Sequence, residues 1–229
     1  MKKITIAILA TLFSYSIASA ELGVSIGVSG QVGVFSASGT ESENLEKQSQ
    51  DAHGAAGYTS IFIEKKLSFL PGPLARLSIG FDHVPETLSS EEVSTTRTDL
   101  TGAVDRSVAI QGVTALVTNT AKIDFSDLNT TYLAFDITDS LYVKAGMVSV
   151  DVETKEVLAT GSTYGNTSID GTMYGIGFAL NKDNGLFMRF EANHTEFDNA
   201  KVTASNTDNF VEMKNLEGAM GKISVGKTF

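Results

Sequence analysis

Ala219-Met-Gly-Lys-Ile-Ser-Val-Gly-Lys-Thr-Phe229 closes the chain and alternates between two faces. Counting back from the end, Phe229, Lys227, Val225, Ile223 and Gly221 share one face, and Thr228, Gly226, Ser224 and Lys222 share the other. Period two is the pattern of a strand whose sides meet different surroundings. The apolar side then has two destinations, the acyl chains of a membrane or the core of a soluble barrel. The rest of the sequence decides between them.

The same alternation recurs upstream. Leu22 to Phe35 sets Leu22, Val24, Ile26, Val28, Val32 and Val34 against Gly23, Ser25, Gly27, Ser29, Gln31 and Gly33. Segment 55–67 is less regular, with Ile61, Ile63 and Leu67 on one face and Phe62 on the other. Further runs oppose Ala75, Leu77, Ile79 and Phe81 to Arg76, Ser78, Gly80 and Asp82, and Thr131, Leu133, Phe135 and Ile137 to Tyr132, Ala134 and Asp136. Leu141, Val143, Ala145 and Met147 oppose Tyr142, Lys144 and Gly146; Tyr174, Ile176, Phe178 and Leu180 oppose Met173, Gly175, Gly177 and Ala179. Leu186, Met188, Phe190 and Ala192 oppose Arg189, Glu191, Asn193 and Thr195. With the C-terminal strand these make eight, each about ten residues or slightly more, the length a tilted strand needs to cross a bilayer.

The connections alternate in length. Those at 68–74, with Pro71-Gly-Pro73, at 138–140 and at 181–185 are short, whereas 37–54, 86–127, 153–170 and 197–217 are long. An up-and-down barrel with turns on one side of a membrane and loops on the other has this rhythm. Parity agrees, because Ile137 and Leu141 flank an odd loop on one face, as do Leu180 and Leu186. Ser107 to Val117 also alternates. Counted as a membrane strand it would make nine and break the rhythm, so it is expected in a β-hairpin projecting above the membrane.

Three features favour lipid over a soluble, lipocalin-like core. The polar face is mostly Gly, Ser, Thr and Ala with a few long charges, which suits the narrow interior of eight strands. Lys and Glu gather in the long connections instead of covering a strand face. Charges on the apolar face are scarce, and Lys65 and Lys227 fall on the turn side, where lysine costs about 0–1 kcal/mol instead of the ~2–4 at midplane. With no Trp, the interfacial aromatics on that face are Tyr174, Phe81, Phe135, Phe178, Phe190 and Phe229.

The other end reads as an address. Met1-Lys2-Lys3 is basic, Ile4 to Ile17 is mostly apolar, and Ala18-Ser19-Ala20 has the small residues Ala18 and Ala20 of a cleavage site. Residues 1–20 are thus expected to be a cleaved signal peptide. A membrane anchor is disfavoured, because the apolar run is shorter than the ~20 residues a spanning helix needs. No Cys follows the cleavage site to carry a lipid. Removing 20 of 229 residues leaves one domain, 21–229, with 15 basic and 27 acidic residues and a net charge of −12. That balance argues against nucleic acid as a partner. The lack of cysteine excludes disulfides and thiolate metal sites. The four long connections carry net charges of −3, −4, −2 and −2, and read as solvated loops in which divalent cations could bridge to lipopolysaccharide.

Arg76, Asp82, Asp136, Lys144, Arg189, Glu191 and Lys222 all fall on the polar face and are expected to pair inside the lumen, since an unpaired buried charge is costly. Asp136 and Lys144 are diagonal neighbours across the 138–140 turn. Such a set is a structural plug or, alternatively, a gate for small ions. His53, His83 and His194 are dispersed and show no metal spacing. A lipid-interface hydrolase would need a Ser/His pair with an orienting acid, and no Ser partner for His194 is evident. The glycines of the first strand follow period two and are no phosphate loop. Neither catalytic, cofactor nor metal residues are assigned.

The signal peptide, eight strands, four long loops and terminal Phe229 together resemble the small bacterial outer-membrane barrels of the OmpA, OmpX and opacity-protein type. Leu186-Phe-Met-Arg-Phe-Glu-Ala-Asn193 is similar to their penultimate strand, and the closing strand resembles their C-terminal assembly signal. Position 227 departs from it, being Lys where the family often has an apolar residue. The resemblance implies an eight-stranded antiparallel transmembrane barrel with extracellular loops, periplasmic turns and both termini in the periplasm. It implies insertion by the barrel assembly machinery through Ile223, Val225 and Phe229. It also implies contact with outer-membrane lipids and lipopolysaccharide, a monomer, and no cofactor. No peptidoglycan-binding domain follows Phe229, so a tethering role is not implied. The expected function is a non-enzymatic surface protein serving envelope integrity, adhesion or display. A narrow channel is the alternative, and a lipid A-modifying enzyme the third.

Overall fold

A computed structural model of the protein describes residues 23–43, 46–101, 113–158, 162–205 and 209–229. The expected signal peptide, with Ala18 and Ala20, lies outside the described residues. The elements are β1 (Val24–Glu43), β2 (Glu46–Lys66), a 3-10 helix (Gly72–Arg76), β3 (Leu77–His83), β4 (Leu88–Ser89), β5 (Val93–Thr101) and β6 (Val113–Asp136). They continue as β7 (Leu141–Val157), β8 (Thr167–Asn181), β9 (Leu186–Phe197), β10 (Ala200–Thr203) and β11 (Phe210–Thr228).

Eight of these, β1, β2, β3, β6, β7, β8, β9 and β11, form one antiparallel ring that closes where β11 returns to β1. The terminal strand is the closing stave. Val28 pairs with Val225 on one side and Ile61 on the other, and the N–H of Phe229 donates to the carbonyl of Val24 at 2.8 Å. The turns are tight at one end of the ring. Thr138 Oγ1 accepts from the N–H of Leu141 at 2.9 Å, and Gly185 supplies the positive φ of the Lys182–Gly185 turn, +82°.

The apolar face points outward. Val32 is 68 % exposed, and Ile26, Val28, Leu133, Met147, Tyr174, Ile176, Phe178, Ile223 and Val225 are also exposed, whereas Ser29, Ser60, Ser78 and Ser224 are buried inside. A contiguous apolar belt of this extent is unstable in water and matches a bilayer core. Over β8, β9, β11, β1 and β2 its upper rim follows one row of paired residues. Outward-facing Thr172, Glu196, Glu217, Ser36 and His53 pair in succession and are polar, while the next row toward the turns holds Tyr174, His194, Ala219, Val34 and Ala55.

Along β7 the polarity inverts at this rim. Below it Val143 faces out and Lys144 faces in, and Met147 faces out level with Thr172; above it Asp151 and Glu153 face out while Val148, Val150 and Val152 are buried. Beyond the rim the expected loops are largely strands, because β1–β2 and β5–β6 continue as hairpins and β6–β7 pairs up to Thr120 and Val157. Cross-strand hydroxyl pairs hold them in place of an apolar face, as between Thr40 and Ser49 (2.9 Å) and between Thr96 and Thr118 (3.0 Å). The hairpin expected within 86–127 forms between β5 and β6; residues 107–112 of the alternating Ser107–Val117 segment lie outside the described residues.

Candidate functional site: the charged interior of the barrel

Alternation in β2, β7 and β9 turns every second side chain inward, so charges on different strands meet in the lumen. Arg189 (β9) donates from both terminal nitrogens to the two carboxylate oxygens of Glu64 (β2), 2.9 Å each. The hydroxyl of Tyr132 (β6) donates to the same carboxylate at 3.1 Å. Lys144 (β7) lies 3.3 Å from Glu191 (β9), which also accepts from the Tyr142 hydroxyl at 2.6 Å. Lys222 (β11) pairs with Asp82 (β3). Three cations thus face three anions, and the bidentate fork is the geometry that guanidinium and carboxylate make best.

Aromatic rings fill the space between the charges. Lys144 stands 3.8 Å over the ring of Tyr132, Arg189 stands 4.5 Å over Phe187, and the rings of Phe62 and Phe187 lie 6.1 Å apart. Each ring occupies the place a neighbouring glycine leaves open. A Cβ on Gly80 would come within 2.2 Å of Tyr132 Cζ, and one on Gly177 within 2.2 Å of Tyr142 Cζ. Gly27 and Gly226 make the same room for Phe62 and Phe187, at 2.6 Å and 2.5 Å. The inner face is therefore plugged at this level, by aromatic rings as well as by the long charges expected among its small residues.

Five of the seven expected lumen charges come together: Asp82, Lys144, Arg189, Glu191 and Lys222. Arg76 does not. Its residue ends the 3-10 turn nucleated at Pro71–Pro73, before the strand begins, and it is exposed with its guanidinium donating to the carbonyl of Ile137 at 2.9 Å. Asp136 does not either, and it does not pair with Lys144. It sits at the last position of β6, at the barrel mouth, 2.8 Å from Lys66. Glu64 is the residue the sequence reading missed. It shares the parity of Phe62, so the irregularity at Phe62 was the available signal.

Above the plug lies a cavity of about 260 Å³. Its walls are mainly apolar, with Val84, Leu128, Val148, Val150, Met173 and Met220 among them, and Lys144, Asp82 and Lys222 also line it. Sequence reasoning missed this too, because the inward valines of β7 lie beyond the segment whose alternation is regular.

Outside the membrane, Asp124 (β6) accepts from Lys155 and from the Ser89 hydroxyl (2.6 Å), with Lys122 3.5 Å away. These partners hold its carboxyl down to about 2. Among the described residues no group of three or more His, Asp or Glu is placed to hold a metal. His83 bonds Asn129 at 2.8 Å, and half-exposed His194 sits 3.2 Å from Glu196 at the rim. Ile223, Val225 and Phe229 are all exposed on the outer face.

No protein-family model matches the sequence, and no curated protein matches it either. Solved structures do. The chain is similar to the outer membrane protein OprG from Pseudomonas aeruginosa, with 7 % identity over 92 % of this chain and 99 % of that one and a TM-score of 0.48. It is similar to the outer membrane protease OmpT from Escherichia coli, with 8 % identity over 94 % and 100 % and a TM-score of 0.46. It is similar to the attachment invasion locus protein Ail of Yersinia pestis, with 11 % identity over 90 % and 99 % and a TM-score of 0.36. With its closed ring of eight strands, outward apolar belt and charge-paired interior, the protein folds as a small transmembrane β-barrel.

Proposed function

We propose that the protein is a non-enzymatic, non-conducting scaffold that presents four acidic hairpins outside the outer membrane, for envelope integrity, adhesion or surface display. The observation that supports this most is the plug. Glu64–Arg189, Lys144–Glu191 and Asp82–Lys222 bridge the lumen between strands, and Phe62, Tyr132, Tyr142 and Phe187 fill the gaps. A path for ions would have to break the bidentate fork. In this reading the short turns and both termini face the periplasm, and the monomeric barrel contacts outer-membrane lipids and lipopolysaccharide. The assembly machinery reads Ile223, Val225 and Phe229.

Planar-bilayer recording of the purified barrel tests it. The wild-type protein should give no steady channels. Steady conductance that disappears when Arg189 or Glu191 is altered would establish the narrow channel instead. Cysteine at Thr98, in the β5 hairpin, should react with an impermeant maleimide on intact cells, whereas cysteine at Asp183, in a turn, should need permeabilisation.

A further inference from the structure

We propose that the 260 Å³ cavity above the plug is a binding site for one neutral, apolar molecule carrying a hydroxyl or amide group. The inward residues of β7 and β8 turn apolar where the strands leave the membrane. Val148, Val150 and Met173 therefore form a dry wall over the charge layer instead of continuing it. An apolar cavity of about 150 Å³ holds a benzene ring, so in proportion this one takes about ten non-hydrogen atoms.

Two buried polar groups line the cavity without a partner among the described residues. Thr195 Oγ1 belongs to a side chain only 2 % exposed, and Asn193 Oδ1 to one 8 % exposed. Such orphans cost about 1–3 kcal/mol each unless something meets them. Asn193 Oδ1 is turned against the backbone of Gly175, so the oxygen of a ligand hydroxyl or amide would meet Thr195, accepting from its hydroxyl. A carboxylate would find no unmatched cation, because Lys144 and Lys222 in the lining are already paired with Glu191 and Asp82, and it must pass an acidic rim. The neutral amphiphile follows from these three facts.

The backbone ladder of the barrel wall is interrupted at the rim, where the Thr59 N–H donates to the Glu86 carboxylate at 2.7 Å instead of to a neighbouring strand. Pro85 has no N–H, so the β2–β3 ladder ends at His83 paired with Ile61. Above that level Val84 and Ser90 bond to β6, leaving Gly54, Ala55 and Ala56 on one side of the cavity and Leu88, Ser89 and Ser90 on the other.

The test is methyl-¹³C methionine spectroscopy of the full barrel in phosphatidylcholine nanodiscs, titrated with octan-1-ol, octanoate and octane. Met173 and Met220 line the cavity, while Met147 and Met188 face the lipid and report partitioning. Octan-1-ol should shift Met173 and Met220 saturably, with Met147 and Met188 responding only in proportion to added alcohol. Thr195→Val should weaken that binding about five- to tenfold, the loss of one hydrogen bond, with Thr195→Ser restoring it. Val148→Phe should abolish it in a barrel that still shows a heat-modifiable gel shift. Four methyls moving together without saturation, no shift at Met173 and Met220, or octanoate or octane binding more tightly than octan-1-ol would each overturn the proposal.

Discussion

Replacing Glu64 by Gln removes one charge from the layer that plugs the barrel and leaves the shape almost unchanged. Arg189 then keeps a neutral acceptor at one nitrogen, and the layer holds three cations against two anions. Both side chains are largely buried, 8 % and 14 % exposed, and are joined by two 2.9 Å bonds. Charge-assisted bonds of this kind are each worth about 1.5–3 kcal/mol, and breaking a buried pair from one side costs about 3–5 kcal/mol. The contact of Arg189 with Phe187 survives the change, and such contacts retain about 0.5–2 kcal/mol. The expected loss is therefore near the lower end, about 3 kcal/mol. Urea unfolding in lipid vesicles, followed by tyrosine fluorescence and by the heat-dependent gel shift, measures it. Glu64→Leu combined with Arg189→Met should recover most of the loss, because an apolar pair replaces an ion pair at little cost. A single-variant loss below about 1 kcal/mol, or single losses that simply add in the double variant, would refute the reasoning.

Gly80→Ala should cost about 1–3 kcal/mol, since its Cβ would overlap the Tyr132 ring. Gly30→Ala, with nothing within 4 Å, should be nearly neutral in the same unfolding assay. The Asp124 carboxyl, held down to about 2 by Lys155 and Ser89, stabilises the contact of β4 with β6 above its unfolded value of about 3.9. That contribution falls as pH drops from about 4 toward about 2, and a carboxyl-carbon NMR titration of Asp124 should show the low midpoint. Lys155→Met should move the midpoint upward, and an unchanged midpoint would remove Lys155 as its cause.

Period two carried the eight strands, their facing and the rhythm of their connections, because one side meets lipid and the other a narrow lumen. It carried five of the plug charges for the same reason. It failed at strand ends, where parity no longer decides direction. Asp136 has an inward parity but sits at the mouth, where Lys66 is nearer, and Arg76 belongs to a proline-led turn. It failed at β2 because Phe62 and Glu64 look like interruptions of an apolar run until their glycine and arginine partners on other strands are known. The alternation of Ser107–Val117 pointed to the hairpin that β5 and β6 form, but the extension of β1 and β2 above the rim was hidden by composition. No hydrophobic alternation marks it, and its Thr40–Ser49 pairing depends on register across a turn. The apolar upper lumen was hidden by the inversion at Val148, where the same parity changes its chemistry.

The orientation of the apolar belt underlies every assignment, and the absence of native cysteine makes it directly measurable. Single cysteines at Val28, Val32, Tyr174 and Ile223, labelled with bimane in vesicles, should be strongly quenched by brominated acyl chains. Cysteines at Ser36 and Glu217, outward at the polar rim, and at Asp151 beyond it should not. A water-soluble monomer formed without detergent, or labels at Val32 and Ile223 shielded from brominated lipid, would show that these side chains pack inward and contradict the account.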